Sequence, residues 1–502
     1  MIEILKSGSH ENALGPLQEV DHKVALANEA QQKYTSFSQQ QVDKIVKAVA
    51  EAAFKQSEYL ARLAVEETGM GVVAHKKMKN EVGSKAVYED IKDLKTVGII
   101  AENRMKKYVE IAAPFGVVAA IIPTTNPTST AIFKTLISLK TQNAIVVSPH
   151  PYAVKCTSEA LKICEEAAIT AGAPPGLIQC LTQKSMEATE HLMKHPQTHV
   201  ILATGGGGLV KAAYSSGKPA YGVGPGNVPV YVEKSAKLDR SLKQIVESKS
   251  FDYGTICATE QALILDEKIY EQSIEKLKKY GVYFLSDEEK ACMEKVISPE
   301  VGKVNPKIVG RSPQTIAAMA SIHLPKGTKV IAGFETETGK DVPFSLEKLS
   351  PVLAVYKVKD HVEAQKLCLD LLNLGGRGHT LSIHTQNDEV AKSFAIALPV
   401  SRIVVNTMAT MGAVGGTTNL KPSFTLGCGT FGGNITSDNI SAQHLMLTKR
   451  MSYGVKEVSV PAPPVDDVQH IVEQQVAAST SNVSEEEIVK IVQSVIQKLT
   501  MK

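Results

Sequence analysis

The pattern of apolar and polar positions changes character several times along the 502-residue chain. Over the first hundred residues apolar side chains recur at spacings of three and four, as in Val42, Ile45, Val46, Val49, Ala52 and Ala53, which predicts helices with one buried face. Between 97 and 115, Val97 to Ile100 and Tyr108 to Ala112 flank the polar stretch AENRMKK, which predicts a hairpin or projecting arm. From there short apolar runs alternate with helical segments. GVVAAIIP, NAIVVSPHP, THVILATG and NVPVYV are each bounded by Gly, Pro or Asn, and Thr128 to Lys140 and Thr157 to Ala171 have helical period. A second series, QALILD, PVLAVYKV, HTLSIHT and SRIVVNT, is separated by helical stretches such as Ile269 to Lys279 and Val362 to Leu372. Strands alternating with helices predict an α/β fold with mainly parallel sheets covered on both faces.

After about Val458 the pattern breaks. SVPAPPV leads into a Gln, Ser and Thr-rich stretch that reads as a linker, within which Val468, Ile471 and Val472 share one face of a weak helix. The chain ends in SEEEIVKIVQSVIQKLTMK. Ile488, Ile491, Val492, Val495, Ile496 and Leu499 follow helical spacing, and Ser484 with Glu487 forms a capping box ahead of them. The expectation is a short amphipathic helix on a tether.

Charge and composition narrow the function classes. Fifty-five basic against 52 acidic residues leave a formal charge of +3 with no long basic run, which argues against a nucleic-acid partner. The strongly apolar stretch Val117 to Ile122 stops at Pro123 after six residues, whereas a spanning helix needs about twenty, so no membrane span is expected. MIEILKSGSHENALG at the N-terminus has no apolar core of signal-peptide length, which suggests a cytoplasmic protein. The seven cysteines are odd in number and none stands in C-x-x-C spacing, against a disulfide framework and against a thiolate metal site.

Four short stretches carry candidate chemistry. ATGGGGLVKAAY follows a predicted strand and opens a helix, which suits either a pyrophosphate held on backbone N–H groups or a plain tight turn. It matches neither G-x-x-x-x-G-K-[ST] nor G-x-G-x-x-G with a distal acid. GVGPGN precedes a strand, and by itself reads as a turn. Cys257, in SFDYGTICATEQALI, lies in a connection between elements, where a thiol is reachable. TTNP places Asn126 at the C-terminal end of a predicted strand, where open α/β sheets bind ligands and where an Asn also serves as a helix cap.

The order TTNP, ATGGGG, GVGPGN, GTICATEQ, EKLSPVLAV, GHTLSIHT resembles the aldehyde dehydrogenase superfamily, and within it the coenzyme A-acylating branch, over roughly residues 10 to 458. The resemblance implies two parallel-sheet α/β domains, a β-arm for oligomerisation and a C-terminal tail helix. It implies a nucleotide-binding domain over 1–96 and 116–227, a catalytic domain over 228–446, an arm from 97–115 and 447–458, a linker over 459–482 and an encapsulation-type helix over 483–502. By the same resemblance Cys257 is the nucleophile, and Asn126 with the Cys257 N–H forms the oxyanion hole. Thr204, Gly205, Gly206 and Gly207 meet the pyrophosphate of NAD, Glu347 the nicotinamide ribose, and Pro149 and His150 the adenosine end. His379 matches a histidine near the nucleophile, or stands as a core histidine at a strand start. Hydrolytic relatives carry a glutamate in an E-L-G-G-K-type loop that activates water; here YGVGPGNVP has no carboxylate. Glu260 reads as structural.

The resemblance therefore implies reversible NAD-dependent oxidation of acetaldehyde or propionaldehyde to the acyl-coenzyme A, through a thioester on Cys257, in a homo-oligomer (dimer or tetramer). Its rivals are an acyl-phosphate reductase of the same superfamily and a noncatalytic assembly protein. The tail also resembles the terminal amphipathic helices that direct cargo enzymes into bacterial microcompartments, which implies a shell protein as its partner; the alternative is a helix that packs on its own subunit or mediates oligomer contacts.

Overall fold

The computed structural model describes residues 14–461, 466–479 and 484–500. The expected absence of a leader rests on residues 1–13, and parts of the linker and the ends of the 483–502 segment likewise lie outside the described residues. The chain divides into two units, 1–102 with 109–451, and 103–108 with 452–502.

A hairpin of β1 (Ile99–Asn103) and β2 (Tyr108–Pro114) forms where the flanking runs predicted one, and β15 (Met446–Ser452) completes a three-stranded sheet in the order β1-β2-β15. A five-stranded sheet contains β3 (Val117–Ile122), β4 (Ala144–Pro149), β5 (Ile178–Cys180), β6 (Val200–Thr204) and β7 (Ala220–Val223) in the order β5-β4-β3-β6-β7. All its pairs are parallel, with Val118 opposite Ile145 on one side and Val200 on the other. Every residue of β3 is buried, as a strand covered on both faces must be. The chain builds outward from β3 to β5 and then returns to start β6 on the opposite side of β3. Such a reversal leaves a crevice at the carboxyl ends of β3 and β6. The helix Pro127–Lys140, buried along its whole length, packs there, and its Lys134 ammonium donates to the carbonyls of Ile121 and Leu202, at 2.9 and 2.8 Å.

The larger sheet has seven parallel strands in the order β10-β11-β12-β9-β8-β13-β14. They are β8 (Val228–Val232), β9 (Glu260–Asp266), β10 (Val282–Phe284), β11 (Val330–Phe334), β12 (Val352–Val358), β13 (Gly378–His384) and β14 (Val400–Val405). The fold is thus α/β with two parallel sheets. NVPVYV, which the pattern grouped with the first series, is β8 and pairs with β9 and β13 in this second sheet. Strands buried on both faces read as the same apolar run whichever sheet takes them, so the pattern could not assign it.

In the second unit, helices span Asp466–Ser479 and Glu485–Leu499. The Ser484 N–H donates to the Glu487 carboxylate at 3.3 Å, the capping box the sequence predicted. Ile488, Ile491, Val492, Val495, Ile496 and Leu499 are all exposed. Among the described residues no helix is long and apolar enough to cross a membrane.

Candidate active site

A cleft of about 430 Å³ opens at the carboxyl ends of β3, β4 and β6. Asn126, Cys257 and Glu347 line it, and so do Thr204, Gly205 and Gly206 on one side and Pro149 and His150 on another. Gly207 and His379 are not among its lining residues. Residues scattered over more than two hundred positions are thus brought to one crevice.

Cys257 sits in the connection between the helix Leu238–Ser250 and β9, half-buried. The entry to this loop is left-handed at three successive residues, Asp252 (φ 49°), Tyr253 (φ 50°) and Gly254 (φ 75°). Asp tolerates that region and Gly favours it, but a tyrosine there stores about 1–3 kcal/mol of strain, which surrounding structure must offset. At Gly254 a Cβ would lie 2.8 Å from the Ser350 carbonyl oxygen, so a side chain is excluded sterically as well. The Asp252 carboxylate holds the turn. It accepts from the Val72 N–H at 2.7 Å, the Thr255 hydroxyl at 2.6 Å, the Lys76 ammonium at 3.1 Å and the Lys79 ammonium. Burial alone would raise this carboxyl; Lys79 and Lys76 more than offset that and hold it at about 2.

Asn126 precedes the helix Pro127–Lys140 yet makes no side-chain cap bond. Its Oδ1 accepts from Lys79 at 2.6 Å, and its Nδ2 donates to Thr125 Oγ1 at 3.1 Å and, at 3.4 Å, to the Thr255 carbonyl of the nucleophile loop. An ammonium only donates, so the atom facing Lys79 is the oxygen, and the NH2 edge is turned toward the nucleophile loop. Burial pushes the Cys257 thiol up to about 12, with the Glu347 and Cys428 side chains adding and the Arg402 guanidinium opposing. The resting side chain is therefore the thiol.

Gly226, from GVGPGN, lies directly behind the nucleophile. A Cβ there would stand 2.4 Å from the Cys257 carbonyl oxygen and 3.0 Å from the His379 ring, so only glycine allows the three to pack. Its N–H donates to Glu347 at 2.9 Å. Burial raises Glu347 to about 8, so at neutral pH it is mostly the acid and no base for water. His379 packs behind Gly226, fully buried, with Nδ1 against Thr380 Oγ1 at 2.9 Å and Nε2 without a partner; burial lowers it to about 3, so the ring is neutral. Glu260, at the start of β9, accepts the Ala409 N–H at 3.0 Å outside the cleft lining, and burial raises it to about 7.

At the other side of the cleft β6 runs into the helix Gly207–Tyr214 through Gly205 and Gly206. A Cβ at Gly206, Gly207 or Gly208 would meet nothing within 4 Å, so the turn has open space before it. First-turn N–H groups lack intrahelical partners and are suited to an anion. These residues fit a dinucleotide's pyrophosphate. Lys76, Lys79, Asp252 and Thr255 escaped the sequence reading, because no local motif joins residues 76 and 79 to 252. The one available signal is the helix VAHKKMKNE, whose polarity predicts exposure while Lys76 and Lys79 are only 2% and 3% exposed.

Comparison with known proteins places this architecture. The aldehyde dehydrogenase family model matches residues 11–285, and the chain belongs to that family. A solved acetylating aldehyde dehydrogenase from Geobacillus thermoglucosidasius is 53% identical, with a TM-score of 0.88 over 89% of this chain and 98% of that one. The aldehyde-alcohol dehydrogenase of Clostridium acetobutylicum is 45% identical over 87% of this chain and 51% of its own length. The chain spans about half the length of several curated relatives of this kind. At 28% identity and a TM-score of 0.79 stand propionaldehyde dehydrogenases, each matched over 86% of this chain and 97% of its own. One comes from the fucose utilisation bacterial microcompartment of Clostridium phytofermentans, and another, from Rhodopseudomonas palustris, was solved with bound CoA and an acylated cysteine.

Proposed function

We propose that the protein oxidises a short-chain aldehyde, acetaldehyde or propionaldehyde, to its coenzyme A thioester, reversibly and with NAD, through an acyl-enzyme on Cys257. The observation that carries this reading is the meeting of Cys257 and the Asn126 amide in one cleft whose only lining carboxyl among the described residues, Glu347, is mostly protonated at neutral pH. The acetylating relatives and the acylated, CoA-bound propionaldehyde dehydrogenase support it.

The Cys257 sulfur attacks the aldehyde carbon, its proton passing to water in the open cleft, and the resulting oxyanion is held by Asn126 Nδ2 and the Cys257 N–H. The turn of Thr204, Gly205, Gly206 and Gly207 would hold NAD, which would supply the acceptor for the hydride that leaves this carbon. The acyl group then rests on Cys257 as a thioester until the thiol of coenzyme A takes it. A thiol is far more acidic than water and its anion more nucleophilic, so this transfer needs no base of the kind GVGPGN lacks. Thioester is exchanged for thioester, and the reaction runs both ways.

Without coenzyme A, a stopped-flow trace is expected to show a burst of roughly one NADH per active subunit and then near arrest, because nothing activates water against the acyl-enzyme. Sustained turnover to free acid at a comparable rate would refute the thioester-transfer reading.

The helix Glu485–Leu499 supports a second element of this reading, encapsulation in a microcompartment by docking on a shell protein. Its exposed stripe is the kind of face that seats in a groove, and a helix of this length is marginal alone in water. Truncation before Val483 is expected to leave the specific activity of the purified enzyme unchanged. Ile491→Glu with Val495→Glu is expected to release the enzyme from a co-expressed shell, read by co-purification. A truncated enzyme that lost its oligomeric state would make the helix structural instead.

A further inference from the structure

We propose that Lys79 is the positioning residue of the oxyanion-binding amide: its ammonium fixes which edge of Asn126 faces the reacting oxygen and ties that amide to the nucleophile loop. The proposal rests on the thioester mechanism above. Lys79 projects from the helix Val73–Glu81, remote in sequence from both loops, and is 3% exposed. It has three N–H bonds to give, and three acceptors meet it: Asn126 Oδ1 at 2.6 Å, Thr255 Oγ1 at 2.7 Å and the Asp252 carboxylate.

The orientation argument turns on what each neighbour of Asn126 accepts or donates. Thr125 is a hydroxyl and serves either edge of an amide equally. The Thr255 carbonyl prefers the NH2 edge, but at 3.4 Å that bond is long and weak. Only the contact with Lys79 is both short and strictly one-way. Take the ammonium away and the amide flips at little cost, which turns a partially negative oxygen toward a developing oxyanion.

The same helix reinforces the arrangement. Lys76, three positions earlier on the same face, donates to the Thr125 carbonyl at 3.0 Å and to Asp252 at 3.1 Å. His75 Nδ1 accepts the Asp252 N–H at 2.9 Å, and its ring stacks on Phe251 with centroids 4.7 Å apart. One helix face thus pins the amide loop, 125–126, and the nucleophile loop, 251–255. Two lysines against one carboxylate leave net positive charge behind the amide, of the sign that favours an alkoxide in front of it.

The test is a double-mutant cycle on the full chain, with wild-type acyl-enzyme formation measured first. If the wild type forms no acyl-Cys257 by mass spectrometry, the mechanism fails before the cycle begins, so the two failures are separable. Asn126→Ala is expected to lower kcat by about 10² to 10³-fold, the usual effect of losing one oxyanion donor. Lys79→Met is expected to lower kcat by about 10 to 100-fold with KM for aldehyde and for NAD within a factor of about three, as for a group acting only in the transition state. Added to Asn126→Ala, Lys79→Met is expected to cost less than about threefold, since there is no amide left to orient. Lys79→Gln, whose amide N–H still donates to Asn126 Oδ1, is expected to keep more of the rate than Lys79→Met. Losses that multiply in the double variant, equal losses for Gln and Met, an unchanged rate in Lys79→Met, or failure of both Lys79 variants to fold would overturn the proposal in favour of a structural lysine.

Discussion

Cys257→Ala is expected to abolish aldehyde-dependent NADH formation, by at least about 10⁴-fold, and to remove acyl labelling of the protein entirely. The whole reaction is routed through the sulfur, so no other cleft residue substitutes for it. Cys156, Cys164 and Cys368 are buried and none of them lines the cleft, so none offers an alternative nucleophile. NAD binding is expected to survive, because Thr204, Gly205 and Gly206 hang from β6 of the five-stranded sheet while Cys257 leads into β9 of the seven-stranded one. Cofactor titration by fluorescence and intact-mass analysis after incubation with acyl-coenzyme A check the two halves separately. Retained turnover, or an acyl adduct on Cys428 in place of Cys257, would displace Cys257 from the role of nucleophile.

What could be read in the sequence follows the range of the interactions concerned. The parallel strands were legible because burial on both faces leaves an uninterrupted apolar run bounded by Gly, Pro or Asn, as in β3 and β12. The short strands β5, β7 and β10 gave too few residues to stand out as runs, and the sheet to which β8 belongs is a matter of pairing, which no single strand encodes. At the site, Cys257, Asn126 and the Gly205 turn were legible because each lies in a local motif at an element's end. Asp252 was not. Its partners Val72, Lys76 and Lys79 stand some 175 positions upstream, and a charged residue in an exposed-looking FDYG loop gives no hint that it is fully buried. The purpose of Gly226 was hidden for the same reason, since a turn motif does not announce that the Cys257 carbonyl and the His379 ring press on it from behind.

Asp252→Asn is expected to destabilise the protein by about 3–5 kcal/mol, the range for removing one partner of a buried ion pair, and to slow catalysis as well. The carboxylate faces two ammonium groups, Lys76 at 2% and Lys79 at 3% exposure, and neither has a second carboxylate partner among the described residues. An asparagine keeps the shape and one acceptor oxygen but supplies no charge, and four donors then compete for that oxygen. Asp252 also holds the left-handed turn through Tyr253, so the loop that carries Cys257 loses its main constraint along with its counter-charge. The thermal midpoint is expected to fall on the order of 5 °C at neutral pH. Because the folded-state pKa of Asp252 is depressed to about 2, its stabilisation is complete above the ordinary aspartate value and is lost as pH falls through the interval down to about 2. The gap between wild type and variant should accordingly hold steady from neutral pH down to about 4 and close below it, a dependence that calorimetry at a series of pH values reads directly. A gap that widened as pH fell, or no loss of stability at neutral pH, would show that the Lys76–Asp252–Lys79 cluster is not what keeps the nucleophile loop in place.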